Sequence, residues 1–552
     1  MAIRPEATPH ANIPRMATVD WIVLLIYIAA MVGMSLYLSK GQESADDYYV
    51  GGRNLPWWAV GVSTMATQTS ANSFIGIPAY VALKEGGGLT WLQYELAVPL
   101  AMVFVMIFLI PLFRELKLIS VYEYLEMRFD RRTRLVMSGV FLVSRGVATG
   151  IGVYASAVVL EVCLGLPVWM CIIIIGAVTI VYDTLGGMAA VVYSDVVQMI
   201  VLLVGLAICI YLALDHAGGL GAALARLEPE RLQGIDSSHG LFDDGKAPLW
   251  GFLVGGFVLY VSYYGVDQSQ AQRELSAPTT DDTKRSLIFN GLARFPLTLL
   301  YIVMGVAVGA AFHASPDLQA AVPEDKLDYL VPMFVLQKLP VGIRGVLFAA
   351  LLAAAMSSLD SALNSLSAST MRDFIEPHIG GKDKAGHDRA MLRASKITTV
   401  AWGVAMTGFA FFVGGISDTV VEGINKLGAF FYGPILAAFL AGILDRRAVG
   451  DGMLAGVFLG VGANVVLWLL APSMYWMWWN VSGLVVAVVA TALVSRMLPP
   501  PRPKQLEGTT LRLRGIAERE ASWVKPYVGL VGYFIAILLV AAFSHDVLTS
   551  FV

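Results

Sequence analysis

Charge is scarce in this 552-residue chain: Asp, Glu, Lys and Arg make up only 14% of it, against about 25% in an average soluble domain. What charge there is nearly cancels, 38 Lys and Arg against 41 Asp and Glu, for a formal net charge of −3. That balance excludes a basic nucleic-acid binder and an acidic disordered chain. Cysteine is scarcer still. Cys163, Cys171 and Cys209 all lie in apolar runs, and none forms a CxxC pair, so neither a disulfide framework nor a zinc site is supported. His10, His216, His239, His313, His378, His387 and His545 fall in loops or at the ends of apolar runs. No histidine is placed for haem ligation, zinc binding or a mid-membrane proton relay. HExxH, GxxxxGK[ST] and GxGxxG are absent, which removes support for a metalloprotease, an ATP-driven pump and a dinucleotide enzyme.

What the chain does have is apolar surface: 57% of its residues are hydrophobic and the mean hydropathy is +0.69. This composition predicts an all-α polytopic membrane protein. A crossing helix needs about 20 mostly apolar residues. The stretches of that kind are 19–39, 56–82, 89–113, 134–163, 167–184, 188–214, 248–275, 283–312, 343–371, 389–415, 418–443, 451–471, 474–497 and 526–545, an expectation of fourteen spans. With the N-terminus outside, the inner loops and adjoining span ends take most of the basic residues, and Arg145, Arg294 and Lys426 are the ones counted within spans, away from their ends. Because Lys and Arg favour the cytoplasmic side, both termini are expected outside a cell membrane crossed many times. Loops 114–134 and 372–396 are the strongest inner anchors, and 215–247 and 313–342 the main outer loops. The first 18 residues lack the charged start and short apolar core of a cleavable signal, so the first span is expected to be retained.

Two spans carry polar residues that lipid would not tolerate. In 56–82 the run Thr64-Met65-Ala66-Thr67-Gln68-Thr69-Ser70-Ala71-Asn72-Ser73 lies at mid-span. Such a run faces protein or a water-filled cavity. It reads either as an unwound helix offering carbonyls to a cation or solute, or as a helix whose hydroxyls bond to neighbours. In 343–371, Ser357, Asp360, Ser361, Asn364 and Ser365 recur at i, i+3, i+4, i+7 and i+8, one polar stripe at helical spacing, with Ser358 at its edge. Hydroxyl and carboxylate oxygens suit a small hard cation such as Na+. Other intramembrane charges are Glu95, Arg145, Asp183, Asp195, Asp267 and Arg294. Each could equally be a structural ion pair, and that reading is stronger for Asp183, Asp267 and Arg273, which lie near expected cytoplasmic ends.

Several motifs, in order, resemble the sodium:solute symporter family, which includes sodium–glucose and sodium–sialic acid transporters. They are Ser44-Ala45-Asp46-Asp47-Tyr48-Tyr49-Val50-Gly51-Gly52-Arg53, Trp57-Trp58-Ala59-Val60-Gly61, Tyr122-Glu123-Tyr124-Leu125-Glu126 with Arg128-Phe129, Gly186-Gly187 with Ser194-Asp195-Val196-Val197-Gln198, Gln272-Arg273, and the serine stripe. Asp183 departs from the pattern, since the family more often has Thr or Ser after the tyrosine. The resemblance implies a leucine-transporter-like core of two five-helix inverted repeats, 56–214 and 248–443. Residues 1–55 would hold the N-terminal tail and an extra leading helix, and 451–552 peripheral helices.

The resemblance further implies a sodium site made by the carbonyls of Ala66, Thr69 and Ala354 and the hydroxyls of Ser357 and Ser358. Some members bind a second sodium, for which the matching positions are Asp195, Ser357, Asp360 and Ser361. Asp360 stands where most members carry a hydroxyl. An extra carboxylate there would strengthen cation binding or let a proton compete, so one or two Na+ are expected, with two favoured. The implied solute pocket comprises Gln68, Ser70 and Ser73, Gln93 or Glu95, Tyr260, Tyr263, Arg294 and Asn425, with Arg145 about one turn before an arginine position of sialic-acid carriers. Two arginines near hydroxyl-rich walls would suit a hydroxylated solute with a carboxylate, although Glu95 could neutralise one of them. The expectation is a sodium-coupled symporter of a sugar or sugar acid, working as a monomer and not an enzyme. The alternatives are a monocarboxylate or amino-acid-like solute, and proton coupling through Asp360 and Asp195. A sensor on the same fold is disfavoured, because only seven residues follow the last expected span.

Overall fold

The computed structural model describes residues 16–40, 42–237, 248–324, 326–379, 384–413, 420–511 and 516–550, and among them there are helices and turns but no strand. We number the helices used below in chain order. The leading helix is α1 (Thr18–Leu38). The polar span is two helices, α2 (Trp57–Thr67) and α3 (Ala71–Ala82). Then come α4 (Val98–Phe108), α5 (Arg131–Leu164) and α6 (Val168–Ala217). A second interrupted pair follows, α7 (Gly256–Val266) and α8 (Gln268–Glu274). The remainder are α9 (Thr280–Ala314), α10 (Ile343–Ser369), α11 (Lys384–Ala410), α12 (Val420–Leu444), α13 (Gly450–Leu470), α14 (Trp478–Met497) and α15 (Val524–Ala542).

Ten helices among the described residues are long and apolar enough to cross a bilayer. The difference from fourteen lies at identifiable places. Spans 56–82 and 248–275 are interrupted, so no continuous helix there reaches crossing length. Spans 167–184 and 188–214 run together in α6, bent at Gly187. Span 389–415 falls in α11, whose basic first turns lower its hydropathy.

The breaks follow from local chemistry. Around residues 67–70, hydroxyl side chains compete with the backbone for hydrogen bonds. Thr67 Oγ1 donates to Ser63 O at 2.9 Å and Thr69 Oγ1 to Met65 O at 3.0 Å. Ser70 is extended (φ −93°, ψ 165°), and its hydroxyl accepts from Ser73 N at 3.3 Å, starting α3 as an N-cap. Asp267 does the same for α8: its backbone is extended and its carboxylate accepts from Ser269 N at 2.8 Å.

The polar helix α8 is wholly buried, and most of its polar side chains are hydrogen-bonded, Gln270 excepted. Gln268 accepts from Val121 N at 2.8 Å and donates to Ile119 O at 2.7 Å. Glu274 accepts from Thr64 Oγ1 at 2.8 Å and Ser286 Oγ at 3.0 Å. Arg114 closes the end, donating to Leu275 O, Ala277 O and Pro278 O at 2.9, 2.7 and 2.7 Å. The serine helix α10 packs among α1, α2, α3, α5 and α6. Its start is capped from another element: Asp20 of α1 accepts from Gly342 N at 2.6 Å and Gly345 N at 3.0 Å. Near its other end, α1 meets α6, where the Ser35 hydroxyl donates to Tyr182 O.

Gly187 has φ +54° and ψ −154°, a conformation nearly confined to glycine. An added Cβ would lie 2.6 Å from Tyr48 O. Gly187→Ala is therefore expected to cost at least about 1–3 kcal/mol and to lower the unfolding midpoint of the detergent-purified protein. Gly529→Ala, whose Cβ would meet nothing within 4 Å, is expected to leave the midpoint unchanged.

Candidate cation and solute site

The break between α2 and α3 lies against the middle of α10. Ser357 Oγ is 3.2 Å from Ala354 O, 3.3 Å from Ala66 O and 3.4 Å from Thr69 O. Ser358 Oγ is 3.5 Å from Thr67 O. One hydroxyl hydrogen cannot serve three carbonyls at once. These separations do match oxygens arranged around a cation: Ca²⁺, close to Na+ in size, takes oxygens at about 2.3–2.6 Å, so ligands at right angles lie about 3.3–3.7 Å apart. Four of the five positions expected to form the main sodium site, Ala66, Thr69, Ala354 and Ser357, thus meet at one hydroxyl, and Ser358 lies beside Thr67 O.

Beside it lies a second polar cluster. Asp195 accepts from Ser63 Oγ at 2.5 Å, and Arg273 Nε donates to the same Ser63 Oγ at 2.9 Å. Arg273 Nη2 is 3.8 Å from Asp195 and also donates to Ser361 Oγ. Asp360 accepts from Ser361 Oγ at 3.2 Å and from the Tyr182 hydroxyl. Ser361 Oγ is 3.0 Å from Thr67 Oγ1, which ties this cluster to the helix break. Asp183 is fully buried, within electrostatic reach of Asp360, Asn364 and Arg273, and neither of its carboxylate oxygens has a partner at hydrogen-bond geometry. Three carboxylates therefore face one guanidinium, an arrangement that favours added positive charge. Asp183 and Arg273 belong to this interior cluster, and Arg273 pairs there with Asp195, as the reading of a structural ion pair allows. Ser63 and Tyr182 were not legible as members. Ser63, one turn before Thr67 on α2, carries the only such signal.

Next to the helix break is a cavity of about 200 Å³ lined by Gln68, Ser70 and Ser73 from the break and by Glu95, Arg145, Tyr260, Tyr263 and Arg294. Tyr94, Tyr301 and Tyr432 complete an aromatic wall that position-matching missed. Gln93 does not line the cavity, and its amide donates to Thr90 O at 3.1 Å. Of the pair Gln93 and Glu95, Glu95 is the one that reaches the cavity. Asn425 lies on α12, with its side chain outside the described residues.

The two arginines differ. Arg294 grips Glu95 through two bonds, Nη2 to Oε1 at 2.5 Å and Nε to Oε2 at 3.3 Å. Glu95 also accepts from Thr298 Oγ1 at 3.0 Å and Tyr260 OH at 3.2 Å. Arg294 is thus neutralised in place, against the reading of two arginines available to a solute carboxylate. Arg145 is less encumbered: it is 4.0 Å from Asp267 and 5.9 Å from the Tyr263 ring centroid, and its Nε has no partner.

The sodium:solute symporter family matches residues 48–460, and the chain belongs to that family. It is a multi-pass membrane transporter and not an enzyme. Among its relatives is a sodium/sialic acid symporter, NanT, of Aliivibrio fischeri, 29% identical over 87% of this chain and 93% of the relative. A sodium/glucose cotransporter of Vibrio parahaemolyticus is 28% identical over 86% of this chain and 90% of its own. The fold is similar to that of a Na+-coupled sialic acid symporter solved substrate-bound and outward-open, with a TM-score of 0.76 and 24% identity, covering 88% of this chain and 99% of that one.

Breaking a buried ion pair by removing one partner costs about 3–5 kcal/mol, whereas replacing both is far milder. Glu95→Gln alone is therefore expected to lower the unfolding midpoint more than Glu95→Gln combined with Arg294→Met. Equal midpoints for the single and double variants would show that the pair carries no such coupling.

Proposed function

We propose that the protein imports a sugar acid, a small hydroxylated solute with one carboxylate, together with two Na+. The observation that carries this reading is the asymmetry of the pocket: Glu95 takes up the charge of Arg294, leaving Arg145 as the cation facing a wall of hydroxyl, amide and aromatic groups. Guanidinium recognises carboxylate in two-point fashion. The Ser, Gln and Tyr side chains suit solute hydroxyls, and the aromatic faces suit sugar rings. The relatives that carry sialic acid and glucose support the same class.

In this reading the first Na+ sits among the oxygens of Ala66, Thr69, Ala354, Ser357 and Ser358, and the second beside Asp195, Ser357, Asp360 and Ser361. Both stabilise the separated ends of α2 and α3, so that sodium prepares the surface from which Gln68, Ser70 and Ser73 meet the solute. Each charge moved through 100 mV contributes about 2.3 kcal/mol, which two ions double. The fold is read as fourteen crossings. Two inverted repeats, 56–214 and 248–443, each open on a broken helix, α2/α3 and α7/α8. Interrupted helices meeting at the midplane are the usual place for ion and substrate sites in such folds. The last helices are peripheral, both termini face outward, and a monomer suffices.

Uptake by proteoliposomes under an inward Na+ gradient tests the coupling. Sugar acids are expected to accumulate, and K+ in place of Na+ to abolish accumulation. Uptake driven equally by a pH gradient without Na+ would establish proton coupling instead. Ser357→Ala and Ser358→Ala are each expected to raise the half-maximal Na+ concentration about fivefold, the loss of one ligand worth ~1 kcal/mol. Arg145→Gln is expected to reduce sugar-acid affinity about 10- to 100-fold, the range of a charged hydrogen bond, while sparing neutral sugars. Equal loss for both solutes would overturn the assignment of the carboxylate to Arg145.

A further inference from the structure

Arg145 stands between two cavities. One is the solute cavity, and the other, of about 40 Å³, has Tyr122, Phe141, Ser262 and Asp267 in its wall. Arg145, Ala148 and Tyr432 line both and so form the partition. The charged residues lining the two cavities are Glu95, Arg294, Arg145 and Asp267. Two acids face two bases, and the resting charge is balanced. An anionic solute upsets that balance by one, and one of the two acids must then share its base.

The two acids are not equally free to do so. Glu95 is fixed to Arg294 at 2.5 and 3.3 Å and accepts two further bonds, from Thr298 and Tyr260. Asp267 divides its two oxygens. Oδ1 accepts from Ser269 N at 2.8 Å and from the Ser269 hydroxyl, the contacts that cap α8. Oδ2 faces Arg145 Nη1 at 4.0 Å, beyond hydrogen-bond length. The cap therefore does not depend on Arg145. In turn Arg145, with its Nε unpartnered, is attracted by Asp267 without being bonded to it. A guanidinium held in that way can turn to a second carboxylate on its cavity side and give up only a long contact.

Given Arg145 as the receptor of the solute carboxylate, the reading on which this rests, we propose that Asp267 is its resident competitor: a positioning residue that sets the affinity for solutes bearing a carboxylate. In the empty protein Asp267 supplies the counter-charge of a mostly buried guanidinium. A solute carboxylate takes over that role, and its net binding is reduced by the attraction it displaces. A neutral sugar displaces nothing, so Asp267 acts on anionic solutes alone.

Asparagine and serine cap a helix as well as aspartate does, so Asp267→Asn and Asp267→Ser remove the charge and keep the cap. The test is titration of the detergent-purified full chain, in Na+, with glucuronate or glucose, read by the unfolding midpoint. Without solute, both variants are expected to melt below the wild type, because Arg145 loses its counter-charge. Glucuronate is expected to repair that deficit and to reach half-saturation at an about tenfold lower concentration than in the wild type, within the range of about 5- to 150-fold usual for coupled sites. Glucose is expected to do neither. The gain for glucuronate should disappear when Asp267→Asn is combined with Arg145→Gln. An equal gain for glucose, a gain that persists in full without Arg145, or glucuronate affinity in both Asp267 variants no higher than in the wild type would overturn the proposal. Glucuronate affinity undiminished by Arg145→Gln alone would instead overturn the reading of Arg145, and no response to glucuronate in any of these chains would overturn both.

Discussion

The arrangement of this protein depends on one contact: the broken segment between α2 and α3 pressed against Ser357 of α10. A helix interrupted inside a bilayer leaves carbonyls without donors, a cost tolerated only where protein or an ion takes them up. Here the freed oxygens of Ala66 and Thr69 converge on a serine hydroxyl whose own helix supplies a third, from Ala354. The break is useful because its polar debt is collected at one point. The same residues, Thr67 to Ser70, form the inner edge of the solute cavity. The carbonyl cluster and the cavity therefore share a structural element, and neither can be rearranged without affecting the other. That sharing is the physical basis of coupling.

Charge is handled differently on the two sides of this contact. Toward the solute, opposite charges are matched one to one, Glu95 with Arg294, and Arg145 is held loosely beside Asp267. On the other side the count is uneven: among the described residues, Asp183, Asp195 and Asp360 gather around the one guanidinium of Arg273. A pocket for a solute that comes and goes is cheapest when its resting charges are already compensated. A seat for an alkali ion works the other way, because its affinity comes from charge left uncompensated until the ion arrives.

Much of this was legible in the amino-acid order. The ten-residue polar run in 56–82 announced the break, since no lipid-facing helix carries such a sequence. The stripe from Ser357 to Ser365 announced a helix with one polar face. The second break was harder to read. Around Asp267 the flanking residues are a run of tyrosines and glutamines with no hydroxyl cluster, and the interruption is made by a single extended residue that caps the next helix. The interior place of Asp183 and Arg273 was hidden for a related reason. Hydropathy measures distance from the ends of a span, but α8 is a polar helix held inside protein by its hydrogen bonds, where depth in lipid has no meaning. The pocket position on the segment after α3 was left between Gln93 and Glu95, with Glu95 as a candidate neutraliser of one arginine. Choosing between Gln93 and Glu95 required the turn after α3, which points one inward and leaves the other bonded to Thr90.

The cap that Asp20 places on the start of α10 also bears on motion. Two charge-assisted bonds at 2.6 and 3.0 Å bolt the leading helix to the outer end of the serine helix, while Ser35 fastens it to α6. The leading helix is thus a strut spanning α10 and α6. Any movement of the start of α10 must carry α1 along or break that cap. Whatever displaces the start of the serine helix therefore displaces the first helix of the chain as well.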